Sequence, residues 1–165
     1  MIQSFAPVVP ESPTVLVLGS IPGVKSLEHQ QYYAHPQNQF WRLMARVLRK
    51  RDVPCDYSER LAMLADGGVA LWDVLAQCER EGSLDSAIRD EHVNEIGSLL
   101  DSTPSIQAVA LNGRKAESSF AKHIGSSVSG LAILLLPSSS AANAQLRLDD
   151  KAEIWSEQLR PWLGL

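Results

Sequence analysis

Four apolar runs along the chain predict buried strands. They are continuous rather than alternating, as expected of strands that are covered on both faces of a parallel sheet. The first, "TVLVLG", is rich in β-branched residues and ends at Gly19, and the last ends at Pro137. The runs lie at 14–19, 69–75, 105–113 and 131–137. This pattern predicts a sheet of about four strands.

Amphipathic segments separate these runs and predict helices. After Asn38 the apolar residues recur at helical spacing, while the basic residues fall mostly on the opposite face. Further segments of this kind lie at 57–66, 91–102, 114–124 and 147–162. Strands that alternate with helices indicate βα units, which right-handed crossovers arrange as a three-layer α/β/α sandwich. We therefore expect residues 1–165 to form one α/β domain around a mainly parallel sheet.

Three polar segments follow predicted strands. They are the loop after Gly19, the side chain of Asn112 and the segment "PSSSAANA" at 137–144. Ligands of open α/β sheets bind at the carboxyl ends of the strands, so this topology would bring the three segments together. We expect the functional site there.

Charge and residue composition limit which partners the protein is expected to bind and where in the cell it is expected to act. The formal net charge is −4 and the sequence pI is about 5.5, so any contact with nucleic acid depends on a local basic patch. The two cysteines form no CxxC pattern, and the four histidines do not cluster with them at metal spacing. No metal or other cofactor is expected. No apolar run could cross a bilayer, and no leader pattern opens the chain, so we expect a cytoplasmic protein.

The segment "GSIPGVKS" at 19–26 nearly matches a phosphate-binding loop. Val24 replaces the second glycine of that motif, and a β-branched residue hinders close approach of the backbone to phosphate. Pro22 removes one N–H donor, and we expect the next helix to begin well after Lys25. The sequence therefore disfavours a nucleotide triphosphatase.

Serine nucleophiles are a second possibility. Ser20 follows a predicted strand, and Ser138, Ser139 and Ser140 lie in a polar turn, where serine is common. No G-x-S-x-G elbow is present, and no histidine or aspartate partner is fixed by the sequence. An esterase or amidase is therefore disfavoured too.

Five aromatic or imidazole side chains are concentrated in "QQYYAHPQNQFW", at 30–41. Phe40 and Trp41 begin the apolar face of a predicted helix and are expected in the core. Tyr33 lies in the loop beside amide side chains, a combination that suits a pocket for a flat heterocycle. A buried tyrosine without such a role is the equal alternative.

The long stretch "LGSIPGVKSLEHQQYYAHPQNQFW", together with "ALNG" and "SSSAANA", resembles the uracil-DNA glycosylase superfamily. The resemblance covers most of the chain and is strongest to the branch of hypoxanthine-DNA (deoxyinosine) glycosylases. It implies a monofunctional enzyme that flips a deaminated base out of double-stranded DNA and hydrolyses the N-glycosidic bond. Hypoxanthine is the expected base, with uracil and xanthine as alternatives. A non-catalytic nucleic-acid or nucleotide-binding module on the same fold is the other alternative.

The resemblance also implies roles for individual residues. Ile21 stands where mismatch-specific relatives have a water-activating Asn, so the activating residue would instead be Asn38. Tyr33 would stack on the flipped base, and Asn112 would read its edge. The base pocket would comprise Gly19, Ser20, Ile21, Pro22, Gly23, Tyr33, His35 and Asn112, with His35 binding in the pocket or fixing the loop. Ser138, Ser139, Ser140 and Asn143 would belong to the loop that enters the duplex, although Ala141 replaces a proline usual in that branch.

The remaining expectations concern DNA contact and the product. Neither Lys25 nor Lys115 matches a nucleophile position, so the expected product is an abasic site without strand cleavage. Phosphate contacts are expected mainly from main-chain N–H groups of the Gly- and Ser-rich loops. The basic residues after Asn38 either meet phosphate or form a solvated helix face; they are Arg42, Arg46, Arg49, Lys50 and Arg51. A monomer is expected.

Overall fold

The computed structural model describes the backbone of residues 1–165 and the side chains of residues 1–125 and 127–165. The strands are β1 (Ile2–Gln3), β2 (Val15–Gly19), β3 (Val69–Asp73), β4 (Leu75–Glu79), β5 (Arg89–Val93), β6 (Ala108–Asn112) and β7 (Ala132–Leu136). The helices are α1 (Val24–His29), α2 (Phe40–Val47), α3 (Tyr57–Asp66), α4 (Ile96–Ser102), α5 (Arg114–His123) and α6 (Leu148–Leu159). Short 3₁₀ turns lie at Asp85–Ala87, Gly125–Ser127 and Arg160–Trp162.

The central sheet has four parallel strands in the order β3-β2-β6-β7. Strand β2 is fully buried, and alternate residues along it enter two separate apolar clusters. Val15 and Val17 pack with Phe40 and Trp155, whereas Leu16 and Leu18 pack in the other cluster. Each face of the sheet is thus covered by helices. The predicted three-layer α/β/α architecture is confirmed.

A second, antiparallel sheet joins β1, β4 and β5, and the sequence did not predict it. The helix predicted over 91–102 is wrong in its first part, because residues Arg89–Val93 form a strand and α4 begins at Ile96. Strand β5 is mostly polar and partly exposed, so it lacks the apolar run by which the other strands were recognised.

The expectation that no helix begins near Lys25 is also wrong, since α1 starts at Val24. One donor that a phosphate loop would need is nevertheless occupied within the protein, and the carbonyl beside it is bonded too. The main-chain N–H of Val24 donates to Ser83 Oγ, and the carbonyl of Pro22 accepts from Arg80. These bonds leave the segment at 19–26 unlike a free phosphate nest.

A partly buried carboxylate attaches the β4–β5 hairpin to α5. Glu91 on β5 accepts from Lys115 Nζ at 2.6 Å, from His123 Nε2 at 2.9 Å and from Ser119 Oγ at 3.4 Å. Burial alone would raise the pKa of Glu91, but the hydrogen bonds and charges of Lys115 and His123 outweigh it and lower that pKa. The ionised form is therefore the one that the fold stabilises.

We expect Glu91→Gln to lower the free energy of unfolding at pH 7 by about 1–3 kcal/mol, because Lys115 loses its charged acceptor. Since the pKa of Glu91 is lower in the folded chain, its contribution is present above the unfolded value near 4.3 and is lost as the pH falls through the folded value. Urea unfolding measured from neutral to acidic pH tests both statements.

The matched control is Glu28→Gln, which removes an exposed ion pair with Lys25 on α1. Exposed helical pairs contribute about 0.3–0.5 kcal/mol, so this change should be nearly neutral. Equal losses in the two variants would contradict a special role for Glu91.

Candidate active site

Three strands of the parallel sheet end side by side at one edge. In register, Gly19 at the end of β2 lies opposite Asp73 at the end of β3, and Asn112 ends β6 beside β7. Both polar side chains are buried, Asp73 at 4% exposure and Asn112 at 8%. The parallel arrangement therefore gathers two buried polar groups around one glycine, at the edge where ligands of such sheets bind.

The amide of Asn112 joins two loops that are distant in sequence. Its Nδ2 donates to the hydroxyl of Tyr33 at 3.1 Å and to Ser139 Oγ at 3.0 Å, and its Oδ1 accepts from the N–H of Ser139 at 2.9 Å. The main-chain donor from Ser139 fixes which end of the amide is oxygen. Both Nδ2 hydrogens are thus used inside the protein, and one lone pair of Oδ1 is left for other partners.

Tyr33 is held in a strained position. Its backbone has φ of 54°, a left-handed conformation that is uncommon for a residue other than glycine. Its ring stacks on Phe40, with centroids 4.0 Å apart and an interplanar angle of 13°. Burial, followed by the nearby Asp73, raises the pKa of Tyr33 far above its ordinary value, so its hydroxyl stays protonated. Strain of this kind is concentrated at functional sites.

Gly19, at the carboxyl end of β2, leaves the space that Asp73 and Tyr33 occupy. A Cβ at this position would lie 2.6 Å from both Asp73 Oδ1 and the hydroxyl oxygen of Tyr33. Any side chain would therefore displace a carboxylate, a stacked tyrosine or both. Close approach, rather than backbone conformation, is what requires a glycine here.

Asn38 stands at the start of α2, next to this cluster. Its Oδ1 accepts from the N–H of Phe40 at 2.9 Å, which fixes the amide against the end of the helix. The following residue, Gln39, donates its N–H to the carbonyl of Ser139 at 2.9 Å. The Asn38 loop and the Ser139 loop are therefore neighbours, as the sequence predicted for segments at the carboxyl ends of strands.

A buried lysine ties the same two loops together. Lys151 on α6 has no exposed surface, and its Nζ donates to Gln39 Oε1 at 2.7 Å and to the carbonyl of Ser140 at 3.3 Å. Burial lowers its pKa. The ammonium group of Lys151, although distant in sequence, thus holds the Asn38 loop and the Ser139 loop at a fixed separation.

The β4–β5 loop covers the segment from Gly19 to Gly23. Ser20 Oγ donates to Asp85 Oδ1 at 2.8 Å, and Arg80 Nη2 donates to the carbonyl of Pro22 at 2.7 Å. Ile21 is 7% exposed and packs in the apolar cluster that contains Leu18. The segment from Gly19 to Gly23 is thus fixed by partners from the hairpin, which the sequence did not predict.

The remaining predicted site residues lie in the loops around this cluster. His35 is exposed, and its Nδ1 accepts from the N–H of Gln37, which is the loop-fixing arrangement. Ser138 Oγ accepts from the N–H of Ser140, while Ser139 is 1% exposed. The exposed part of this loop is instead its tip at 141–145, where Asn143 is partly covered.

Two cavities lie elsewhere on the molecule, and Tyr33, Asn38, Asn112 and Ser139 line neither of them. One of about 930 Å³ lies between the end of α2 and α6, and one of about 450 Å³ lies near the N-terminus. The larger cavity is bordered by side chains of both charges, including the exposed pair of Arg46 and Asp149. At the predicted site, by contrast, the side chain of Asn112 bonds to those of Tyr33 and Ser139.

Sequence analysis missed Asp73 and Lys151. Asp73 had a usable signal, because it is a polar residue at the end of a buried strand, just as Asn112 is. Lys151 had none, since it occurs among the charged residues of an ordinary amphipathic helix. Within residues 1–125 and 127–165, no group of three or more His, Cys, Asp or Glu side chains could hold a metal ion, and no helix is long and apolar enough to cross a membrane.

We expect Gly19→Ala to destabilise the fold by about 1–3 kcal/mol, because the new methyl group overlaps Asp73 and the stacked Tyr33. The control is Gly97→Ala in α4, where an added Cβ meets nothing within 4 Å and the change should stay within about 1 kcal/mol of the parent. Urea unfolding of both variants tests the expectation. An unchanged midpoint for Gly19→Ala would contradict the close approach.

Known proteins resemble this chain in sequence and in fold. The profile of the Uracil DNA glycosylase superfamily matches residues 6–158. A solution NMR structure of a candidate uracil DNA glycosylase from Methanosarcina acetivorans superimposes with a TM-score of 0.84 and 34% identity, covering 98% of this chain and 99% of that one.

Two curated relatives carry the name hypoxanthine DNA glycosylase. The Methanosarcina barkeri protein is 40% identical over 114 residues, 69% of this chain and 72% of the relative. The Methanosarcina acetivorans protein is 35% identical over 158 residues, 96% of this chain and 98% of the relative. Matches of this extent, on this fold, show that the chain belongs to the uracil DNA glycosylase superfamily.

Proposed function

We propose that this protein is a monofunctional DNA glycosylase that excises hypoxanthine from double-stranded DNA and so initiates base excision repair. The main support is its similarity, over 96% of the chain, to a relative named hypoxanthine DNA glycosylase. The buried polar cluster at the carboxyl ends of the strands supplies the kinds of group that such a reaction needs.

Cleavage of an N-glycosidic bond develops positive charge on the sugar and negative charge on the departing base. The target base must first leave the stack and enter the protein. We propose that Tyr33 stacks on this base with the ring face opposite Phe40. Stacking on an aromatic ring contributes about 1–3 kcal/mol per base, and the strained backbone fixes the ring for that contact.

We propose that Asn38 holds the attacking water. The hydrogen bond from the N–H of Phe40 orients its Oδ1, which keeps a second lone pair for a water molecule. An amide with a fixed orientation can position water without changing protonation state. Ile21, at the position where some relatives have the activating Asn, packs in the core and offers no polar group.

We propose that Asn112 contributes mainly by holding Tyr33 and Ser139, because its Nδ2 hydrogens already bond to them. Its contact to the base would use the remaining lone pair of Oδ1. A base that enters this cluster must also move some of its side chains apart. The exposed loop tip at 141–145 is the proposed contact with the duplex, with main-chain N–H groups meeting phosphate.

The proposed product is an abasic site without strand cleavage. Lys25 pairs with Glu28, Lys115 pairs with Glu91, and the Nζ of Lys151 is occupied by two acceptors, so none is poised as a nucleophile. We further propose a monomer that acts in the cytoplasm, where the two free cysteines would stay reduced.

The test uses duplexes that each carry one hypoxanthine, uracil or xanthine, incubated with the protein and then treated with alkali. We expect alkali-dependent cleavage at hypoxanthine to exceed that at the other bases, and no cleavage without alkali. Binding of the hypoxanthine duplex without excision would contradict the proposal and indicate a non-catalytic module.

We expect Asn38→Ala to slow hypoxanthine excision about 10²–10³-fold in single-turnover assays, since a positioned contact to the reacting water is lost. Because Asn38 also bonds to the end of α2, its removal costs stability of about 1 kcal/mol as well.

The matched variant Asn38→Ser separates the two effects, because serine can restore the bond to the helix end but is too short to replace the amide. We expect Asn38→Ser to unfold like the parent and to remain slow. A serine variant as fast as the parent would show that Asn38 acts only as a helix cap.

A further inference from the structure

Asp73 has a buried carboxyl oxygen without a hydrogen-bond partner. Across the described side chains, the buried polar atoms that lack a partner are Asp73 Oδ2 and Arg80 Nη1. The guanidinium of Arg80 is held at its other nitrogens by two main-chain carbonyls. Among the same side chains, Asp73 enters none of the salt bridges. Unpartnered buried polar groups are rare, and each needs an explanation.

The groups that face Asp73 come from three elements. Tyr32 and Tyr33 approach from the aromatic loop, Asp85 approaches from the β4–β5 loop, and Gly19 lies alongside on β2. None of these is a cation. Burial, with a further contribution from Asp85, raises the pKa of Asp73 to about 7. The carboxyl therefore carries a proton in a large fraction of molecules at neutral pH.

The carboxyl of Asp73 lies beside the proposed base site. Its Oδ1 and the hydroxyl of Tyr33 both lie against Gly19, at the edge of the sheet where the flipped base is proposed to bind. The Tyr33 hydroxyl accepts from Asn112, and its own hydrogen has no acceptor among the hydrogen bonds of the described residues. Two unused proton-bearing groups thus face the proposed base site.

We propose that Asp73 is a catalytic residue, the acid that delivers a proton to a ring nitrogen of the purine as the base departs. This inference rests on the proposed function. A purine such as hypoxanthine has ring nitrogens with free lone pairs besides the one bonded to the sugar, whereas uracil presents only carbonyl oxygens and an N–H. An acid at this place therefore favours a purine leaving group.

Atoms and charge are conserved in this reaction. The proton leaves Asp73 and bonds to the ring nitrogen, while the electron pair of the bond between the base and C1′ moves onto the base. Water adds to C1′ and releases one proton to solvent, from which Asp73 regains a proton. The products are neutral hypoxanthine and an abasic site, with no oxidant or further reactant.

The test measures single-turnover excision of hypoxanthine from about pH 5.5 to about pH 8.5. The rate of the parent should fall as the pH rises through about 7, where Asp73 loses its proton. Asp73→Asn should be slower by about 10²-fold at pH 6 and should lose this descending limb. Because the variant removes a buried, unpartnered carboxylate, it should also be at least as resistant to urea as the parent at pH 8.

Asp85→Asn keeps an acceptor for Ser20 but removes the charge beside Asp73. Because the charge of Asp85 raises the pKa of Asp73, its removal should move the descending limb of the rate profile to lower pH. This test does not depend on whether Asp73→Asn folds. Asp66→Asn, at the exposed end of α3, is the control and should leave the profile unchanged.

An Asp73→Asn enzyme with the rate and profile of the parent would overturn the inference while leaving the glycosylase intact. A parent without any hypoxanthine excision would overturn the proposed function instead. A slow Asp73→Asn enzyme that keeps the descending limb would also overturn the inference, because that limb would then belong to another group.

Discussion

The hydrogen bonds of a single amide, Asn112, determine how the site is assembled. The three bonds that it makes close contacts between residues separated by 79 and 27 positions in the chain. Neither loop belongs to a helix or strand at these points, so the amide supplies what secondary structure does not. Because Asn112 ends a fully buried strand, its own position is fixed by the sheet, and that rigidity passes to Tyr33 and Ser139.

Three further bonds make this arrangement specific. The N–H of Gln39 donates to the carbonyl of Ser139, which joins the loop before α2 directly to the loop after β7. Lys151 on α6 joins the same two loops through its two bonds. A buried ammonium group is costly unless its hydrogens are accepted, and the two acceptors of Lys151 come one from each loop. The site therefore combines a stable sheet edge with loops whose geometry is set by a few polar contacts.

The central sheet could be predicted because its strands are apolar on both faces, which leaves a strong signal in the sequence. Strand β5 could not, since it is mostly polar and its Glu91 bonds to Lys115 and His123 on α5, residues that are distant in sequence. The residues of the candidate site were predicted by resemblance and by their place after strands. Their partners were not, because Asn112 looks free to bind a base in the sequence, whereas in the fold its donors are occupied. Asp73 is the opposite case, because this polar residue at a strand end keeps one carboxyl oxygen without a hydrogen-bond partner in the fold.

The hairpin of β4 and β5 links the candidate site to the other side of the sheet. Its loop holds the segment at 19–23 through Ser20 and Pro22, while Glu91 bonds to α5. Strand β4 is fixed by Leu75, which is fully buried in an apolar cluster of the core, whereas β5 is mostly polar and partly exposed. The amides of β5 should therefore exchange hydrogen with solvent before those of the fully buried β2. The loop over the candidate site thus depends on one strand that is fixed in the core and one that is open to solvent.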